Sequence, residues 1–343
     1  MAFINTTKSF IRDLITGSLW QLGITNPQKK SKNKLTVVTF HRVLPETLRK
    51  QYPYEGICVT PEELDWFCDY FKQYDVVGTL SDTFDQWKKN TDSAKSFLAI
   101  TFDDAQWDNL HYAQPILDKH NYKATFYIPT ESVDNKTLLW HDRLGYVVHQ
   151  AGNDNKQLTD IINIFKALGY QESQATDLKN KLVEFAKILS VGTRKKLLLQ
   201  LEQLSAAEVP QWGRLMTWDE IKLLDKQGHE IGAHSVTHEL LTSCDSSQLK
   251  HEVFFSKERI EAELSKKVVS FCYPNGNYND EVVSAVTLAG FDNAVSTVWG
   301  INNQSANHYT MRRFDINAFN NLDRHQNLSA SRFAYRLMKQ SLN

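Results

Sequence analysis

The sequence predicts an α/β chain built from parallel strand–helix units, a βα barrel. Short β-branched or apolar runs alternate with amphipathic helical stretches, as parallel βα units require. Two groups of chemistry-bearing residues follow directly on such runs, at the strand ends where barrels carry their sites. No internal repeat breaks the pattern, and no apolar run approaches the ~20 residues of a membrane span.

The elements follow in order. Residues 3–24 place Ile4, Ile11, Ile15, Leu19 and Leu22 on one helical face, with Phe10, Leu14 and Trp20 beside them. Such a helix suits a membrane surface, and equally a docked position on its own domain, the commoner fate of an apolar stripe. The polar, basic stretch Asn26–Lys34 reads as a linker. Leu35–His41 is a short β-branched strand, and Pro61–Tyr74 a helix opened by Thr60 as cap with Glu63 three residues on. Phe97–Phe102 is a second strand, running into Asp103-Asp104, followed by helix Asn109–His120 and strand Ala124–Ile128.

From about residue 131 to 212 the strands stop, and helices Leu158–Leu168, Gln174–Leu189 and Arg194–Leu204 read as an insertion. The rhythm resumes with helix Trp218–Gln227, strand Glu230–Ala233, helix Ser246–Leu264 and strand Val268–Cys272. Helix Asp280–Ala289, strands Asn293–Thr297 and Tyr309–Ile316, and helix Ser329–Leu342 complete the chain. The expected organisation is an N-terminal helix and linker over 1–33, a barrel over 34–320 and a closing helical segment over 321–343.

Composition narrows the function. The chain has 39 Lys and Arg against 40 Asp and Glu, a net charge of -1, and so lacks the basic excess of nucleic-acid binding. Cys58, Cys68, Cys244 and Cys272 are scattered without a C-x-x-C pair, which argues for buried thiols in a reducing compartment. Lys8, Arg12 and Asp13 interrupt the apolar residues at the start, so no signal-peptide core forms. The expectation is a cytoplasmic protein, membrane-associated if its first helix lies on lipid.

Chemistry concentrates in Thr101-Phe-Asp-Asp104 and His234-Ser-Val-Thr-His238. Adjacent carboxylates repel unless a cation or proton relieves them. Two imidazoles four residues apart face the same way and suit one metal. Alone, an Asp-Asp reads as a cap or turn, and a His-x-x-x-His as a surface coincidence. Together, each at a strand end, they offer one carboxylate and two histidines, with a coordination position left open as in catalytic sites.

These segments resemble the NodB-homology polysaccharide deacetylases, carbohydrate esterase family 4. Thr101–Asp104 matches the family's T-F-D-D motif, His234–His238 its H-[ST]-x-x-H motif, and Tyr273-Pro-Asn-Gly276 its third. The resemblance covers roughly residues 35–130 and 215–316. It implies a distorted (β/α)7 barrel of the NodB-homology type and metal-assisted removal of N-acetyl groups from sugars. Asp103 would be the general base, and Asp104, His234 and His238 would hold a divalent metal, with zinc suited to the ligands and nickel or cobalt tolerated. The backbone N–H of Asn275 would face the oxyanion, with Tyr273 and Pro274 around the substrate.

The sequence departs from the family in several places. Cys272 stands where the third motif carries an arginine that orients the base, which leaves Arg312 or Arg313 to supply the guanidinium. Ala105 follows the first motif where glycine is usual. No copy of the fifth motif, I-x-L-x-H, lies near the C-terminus, where His308 and His325 sit in irregular surroundings. Val37-x-Thr39-x-His41 reproduces its alternation near the N-terminus instead, like the circularly permuted deacetylases of exopolysaccharides, and makes His41 the candidate general acid. Trp140, in Trp140-His141-Asp142, offers a ring for sugar stacking.

The expected activity is therefore N-deacetylation of a sugar in a polysaccharide or glycolipid precursor. The alternatives are a metal amidase acting on a non-sugar amide and a carbohydrate-binding relative without catalysis.

Overall fold

Leu35–Phe40 (β1), Val76–Gly78 (β2), Phe97–Phe102 (β3), Thr125–Ile128 (β4), Glu230–Ala233 (β5), Ser270–Cys272 (β6), Asn293–Val295 (β7) and Phe314–Asp315 (β8) pair into one parallel eight-stranded sheet. The order is β8-β1-β3-β4-β5-β6-β7, with β2 alongside the first half of β3. The structure, a computed structural model, describes residues 2–91, 94–152, 154–171, 178–204 and 209–339. Every residue of β1, β3 and β4 is buried, as expected of parallel strands covered on both faces. The ends of the sheet draw together where Ser296 N–H donates to Met311 O (2.8 Å) and Arg313 N–H to Val298 O (2.9 Å). The sheet thus curls into a distorted barrel.

Strand alternation sorts the two faces. Leu35, Val37, Phe97, Ala99, Tyr127, Cys272, Val295 and Met311 form one core, over which Leu80 and Trp87 pack. Val38, Phe40, Ile100, Phe102, Phe126 and Phe271 point the other way and pack under the surrounding helices. Because β1 and β3 pair with Thr39 opposite Thr101, the next inward positions, His41 and Asp103, fall level at the mouth.

The capping box at Thr60 and Glu63 forms as the sequence implies, with Glu63 N–H on Thr60 Oγ1 (3.2 Å) and Thr60 N–H on Glu63 Oε2 (2.7 Å). Other elements differ. The helix expected over Asn109–His120 begins as a π turn, Asn109–Ala113, because Pro115 brings no N–H to the ladder that follows. The one expected over Ser246–Leu264 is likewise interrupted by a π turn, His251–Phe255. Tyr309–Ile316 is a strand only at Phe314–Asp315, since Met311 bridges to β7 before the chain crosses to β1. Strand β2 and helices Leu80–Lys89, Thr130–Asn135 and Trp140–Ala151 were not anticipated, although Thr79 caps the first of these helices through Asp82 N–H. The presumed linker is packed: Pro27 and Ser31 are buried, Pro27–Lys30 is helical, and Asn33 O accepts from Trp87 Nε1 (3.0 Å).

The insertion carries its own core. Leu144, Val147, Phe165, Leu182, Leu197 and Leu201 join helices Trp140–Ala151, Asn155–Ala167, Leu178–Lys187 and Val191–Leu204. Helix Thr130–Asn135, at the expected start, belongs to the barrel instead, because Val133 packs in the barrel's core. The first four residues of the helix expected at Gln174–Leu189, and the end of that expected at Ser329–Leu342, lie outside the described residues. Helix Ala2–Gln21 docks against Ala330–Lys339.

His229, buried just before β5, accepts the Ala124 N–H on Nδ1 (3.2 Å) and so must stay unprotonated there. Burial, then the charge of Lys123, pushes its pKa down to about 4. The unfolded chain takes up that proton below about pH 6.5, so this stabilisation is complete above that pH and is lost as pH falls toward about 4. Urea unfolding is expected to show a loss of up to about 3 kcal/mol over that window from this group. His229→Asn, which keeps an acceptor but has no titrating ring, is expected to flatten the profile; an unchanged profile would assign the acid sensitivity to other groups.

Candidate active site

The motifs meet at the C-terminal mouth of the barrel. Asp103 continues the inward alternation of β3, and the backbone then turns through left-handed conformations at Asp104 (φ 74°) and Ala105 (φ 51°). Ser235 (φ 63°), His238 (φ 57°) and Asn275 (φ 54°) do the same in the other two motifs. Each costs about 1 kcal/mol or more for a non-glycine residue. These motifs hold five of the ten such residues among the described residues, so backbone strain is concentrated at the site. It also explains the family's glycine where Ala105 stands, a positive-φ position. Gly276 (φ 73°) has no such latitude, since a Cβ there would meet Thr297 Oγ1 at 2.0 Å.

Asp104 Oδ1 lies 3.3 Å from His238 Nε2 and 3.6 Å from His234 Nε2, all three residues nearly closed to solvent. His234 Nδ1–H donates to Cys272 O (2.8 Å), which leaves the lone pair of Nε2 facing Asp104. Asp104 Oδ1 and His238 Nδ1 are buried with no hydrogen-bond partner. A carboxylate oxygen without a donor beside an imidazole lone pair is unfavourable unless a positive charge lies between them, so the three residues fit a divalent cation. Burial, and then the cost of charging His234 beside His238, lower the pKa of His234 to about 4, which keeps its imidazole neutral.

Asp103, Cys272 and His234 also approach one another closely. That set is already neutralised. Arg313 forms two parallel bonds to Asp103, NH1 to Oδ1 and NH2 to Oδ2, both 2.8 Å, and its NH2 lies 3.1 Å from Cys272 Sγ. The same guanidinium donates to Ser296 O (2.9 Å), Thr39 Oγ1 (3.0 Å) and Thr101 Oγ1 (3.2 Å). Arg313 thus stands in for the missing motif arginine. Burial alone would raise the Asp103 pKa, but Arg313, with His234 and His41, outweighs it and lowers the value to about 2.

His41 closes the other side, with Nε2 3.9 Å from Asp103 Oδ2 and Nδ1 3.7 Å from Asp315 Oδ1. The Asn109 side chain holds the His41 carbonyl at 2.9 Å. Burial disfavours the imidazolium, yet the carboxylates of Asp315, Asp103 and Asp104 more than offset it and leave the pKa above the ordinary histidine value.

A cleft of about 460 Å³ opens above these groups. Trp140, His141 and Tyr54 line it, and Lys179, Val183 and Lys187 of the insertion helix Leu178–Lys187 form one wall. Trp140 donates from Nε1 to His238 O (3.3 Å), while the Arg194 guanidinium covers one face of its ring at 4.5 Å. Arg194 also pairs with Glu239, which ties the insertion to the histidine loop. Lys187 Nζ reaches Asn275 Oδ1 (3.0 Å).

The structure therefore gathers His41, Asp103, Asp104, His234, His238, Tyr273, Asn275 and Trp140 around one cleft. Two residues singled out in the sequence stand back from the cleft. Arg313 is fully buried behind Asp103 and lines no part of the cleft, because its guanidinium is spent on the barrel interior. Pro274 is buried too, turned inward by the 3-10 turn that presents Asn275. His325 is exposed beside Arg324, and His308 packs on Phe84; neither reaches the cleft.

Several partners escaped the sequence reading. Asp315 flanks His41 from β8, and the His141 ring lies 5.2 Å from that of His238. Glu252, in the π turn, accepts from Val236 N–H (2.9 Å) and Thr237 N–H (2.8 Å) and shapes the histidine loop. Arg42 and Asp108 form a buried ion pair below it all, 3.2 Å apart. Only His141, next to Trp140, carried a signal in sequence; the others come from folding distant segments together.

A curled parallel barrel with this carboxylate–histidine cluster at its mouth has the layout of a hydrolase. The polysaccharide deacetylase family model matches residues 90–294, more than half of the chain, and the chain belongs to that family. YxkH of Bacillus subtilis (strain 168), which is named for polysaccharide deacetylation, is 24% identical over 101 residues. That match covers 29% of this chain and 36% of YxkH, about a third of its length. Among solved structures, the Streptococcus pyogenes deacetylase PplD aligns with a TM-score of 0.55 at 16% identity, covering 82% of this chain and 91% of that one. IcaB from Ammonifex degensii aligns with a TM-score of 0.54 at 14% identity, covering 88% and 96%. The de-N-acetylase from Aggregatibacter actinomycetemcomitans gives 0.54 at 14%, covering 88% and 99%. These likenesses show a common fold.

Proposed function

We propose that this chain is a metal-dependent N-deacetylase acting on an N-acetylated sugar of a polysaccharide or its precursor. The observation that carries the reading is the juxtaposition of an arginine-held carboxylate, Asp103, with the Asp104–His234–His238 cluster. The family membership supports the deacetylase chemistry, and the family's description together with the name of YxkH supports a polysaccharide substrate.

In this reading Asp104, His234 and His238 hold the cation, zinc suiting the donor set, while Asp103 takes the proton from the attacking water. When bound, the cation supplies a Lewis acid for the acetamide carbonyl and an acidified water, which a base as weak as Asp103 needs. Arg313 keeps Asp103 ionised and aimed along the barrel axis. His41, whose two carboxylate neighbours favour its protonated form, donates the proton that the departing sugar amine requires. In this reading the general acid sits directly after the first barrel strand, Leu35–Phe40. The Asn275 backbone N–H stabilises the oxyanion, and Trp140 presents the exposed part of its ring to the sugar.

Elemental analysis combined with an acetate-release assay on N-acetylglucosamine oligomers tests this. The wild type is expected to carry an equimolar divalent metal and to release acetate. His238→Ala, missing one of three ligands, is expected to bind metal at least about 100-fold more weakly. Wild-type protein that takes up no metal after reconstitution would refute the reading, whereas metal without acetate release would redirect it to another amide.

A further inference from the structure

The first helix is docked by the wrong face for an ordinary amphipathic helix. Its contacts to the body are largely polar: Asp13 pairs with Arg332, which also donates to Ser9 O (3.1 Å) and Ser9 Oγ (2.7 Å), and Thr16 is buried. Trp20, further along the same side, packs on Tyr70 at 6.3 Å between ring centroids. Ser9, Asp13, Thr16 and Trp20 follow helical spacing and mark one side. The opposite side carries Ile11 (50% exposed), Leu14 (55%), Ile15 (50%) and Leu22 (73%), with Phe10 at its edge. A helix that docks through serine, aspartate and threonine while leaving such a row outside leaves its main hydrophobic free energy unused.

The charges around this row are positive. Lys8 and Arg12 are exposed one turn apart along its edge, and Arg324 lies over Phe10 on the other side at 4.9 Å. Lys29 places its Nζ beside Gly23, where the helix ends. The nearby carboxylates are engaged: Asp13 by Arg332, and Asp323 by the N–H groups of His325 and Asn327. Two copies of the chain would bring these cations against each other, whereas an anionic lipid surface complements both the apolar row and its basic border. Among the described residues no helix is long and apolar enough to cross a membrane, so the contact would lie in the plane of the interface.

We infer that residues 8–24 form a docking surface for anionic lipid headgroups. The inference does not rest on the deacetylase reading, because it concerns a face that takes no part in catalysis. The test is co-sedimentation of the full chain with phosphatidylglycerol-containing vesicles and with pure phosphatidylcholine vesicles, at low and high salt. Binding is expected to the anionic vesicles and to weaken with salt. Leu14→Ser/Ile15→Ser, at exposed positions, is expected to weaken it about tenfold or more with unchanged thermal stability. A parallel sedimentation-velocity series reads the competing occupant. No vesicle binding, with a concentration-dependent dimer that the double variant dissolves, would assign the face to a second copy and overturn the inference. A monomer that ignores both vesicles, or equal salt-independent binding to both, would overturn it as well.

Discussion

Asp103→Asn is expected to lower acetate release from N-acetylglucosamine oligomers by about 10³-fold, within the range ascribed to a single general base, without loss of metal. The separation of effects follows from the geometry. Asp103 and Asp104 are neighbours in sequence, yet only Asp104 faces the two Nε2 atoms, while Asp103 is turned into the barrel and bound by both terminal nitrogens of Arg313. The amide of asparagine is nearly isosteric and can still accept from the guanidinium through its oxygen, but it cannot take a proton from water. The measurement is the rate against bound metal in the same preparation. Metal lost together with activity would mean that Asp103 is itself a ligand, and the division of labour between the two carboxylates would have to be redrawn.

Arg313→Leu is expected to destabilise the barrel by about 3–5 kcal/mol, because it leaves a buried carboxylate unpaired. It also removes the donor for Ser296 O and a shared partner of Thr39 and Thr101. The pH dependence separates loss of the charge pair from simple loss of packing. In the wild type the Asp103 pKa, lowered to about 2, lies below its unfolded value, so Asp103 adds stability above about pH 4 that is lost as pH falls toward 2. Without the arginine, burial dominates and drives the pKa above the unfolded value. The variant then gains stability as pH falls through that raised pKa, the reverse slope. Urea unfolding of metal-stripped protein at mildly acidic and mildly alkaline pH is expected to show a larger deficit at the alkaline end. A deficit independent of pH would show that the guanidinium acts by filling space rather than by charge.

How much of this was legible before folding depended on how local each signal is. Asp103 and Asp104, His234 and His238 each lie within a few residues of one another at a strand end, so their spacing alone proposed a cation site. His41 was legible because the alternation of Val37, Thr39 and His41 puts its ring on the same face as its strand's inward residues. The Thr60–Glu63 capping box, equally local, formed as read. Arg313 was undecided between two neighbours, since nothing in sequence distinguishes which of Arg312 and Arg313 turns inward. The π turn His251–Phe255 and the short strand Val76–Gly78 were not legible, being set by long-range partners: Glu252 reaching the histidine loop, and β3 offering half an edge.

The sequence by itself determined the barrel class, the metal-type residue set and the level at which they meet, because strand period and motif spacing are properties of adjacent residues. Only the tertiary structure decided that Arg313 belongs to Asp103, that Asp315 backs His41, that a helix of the insertion walls the cleft, and that the first helix docks by its polar side. Each of those joins residues far apart in the chain, and the free energy that selects them comes from burying charge against charge in a shared interior rather than from any local preference.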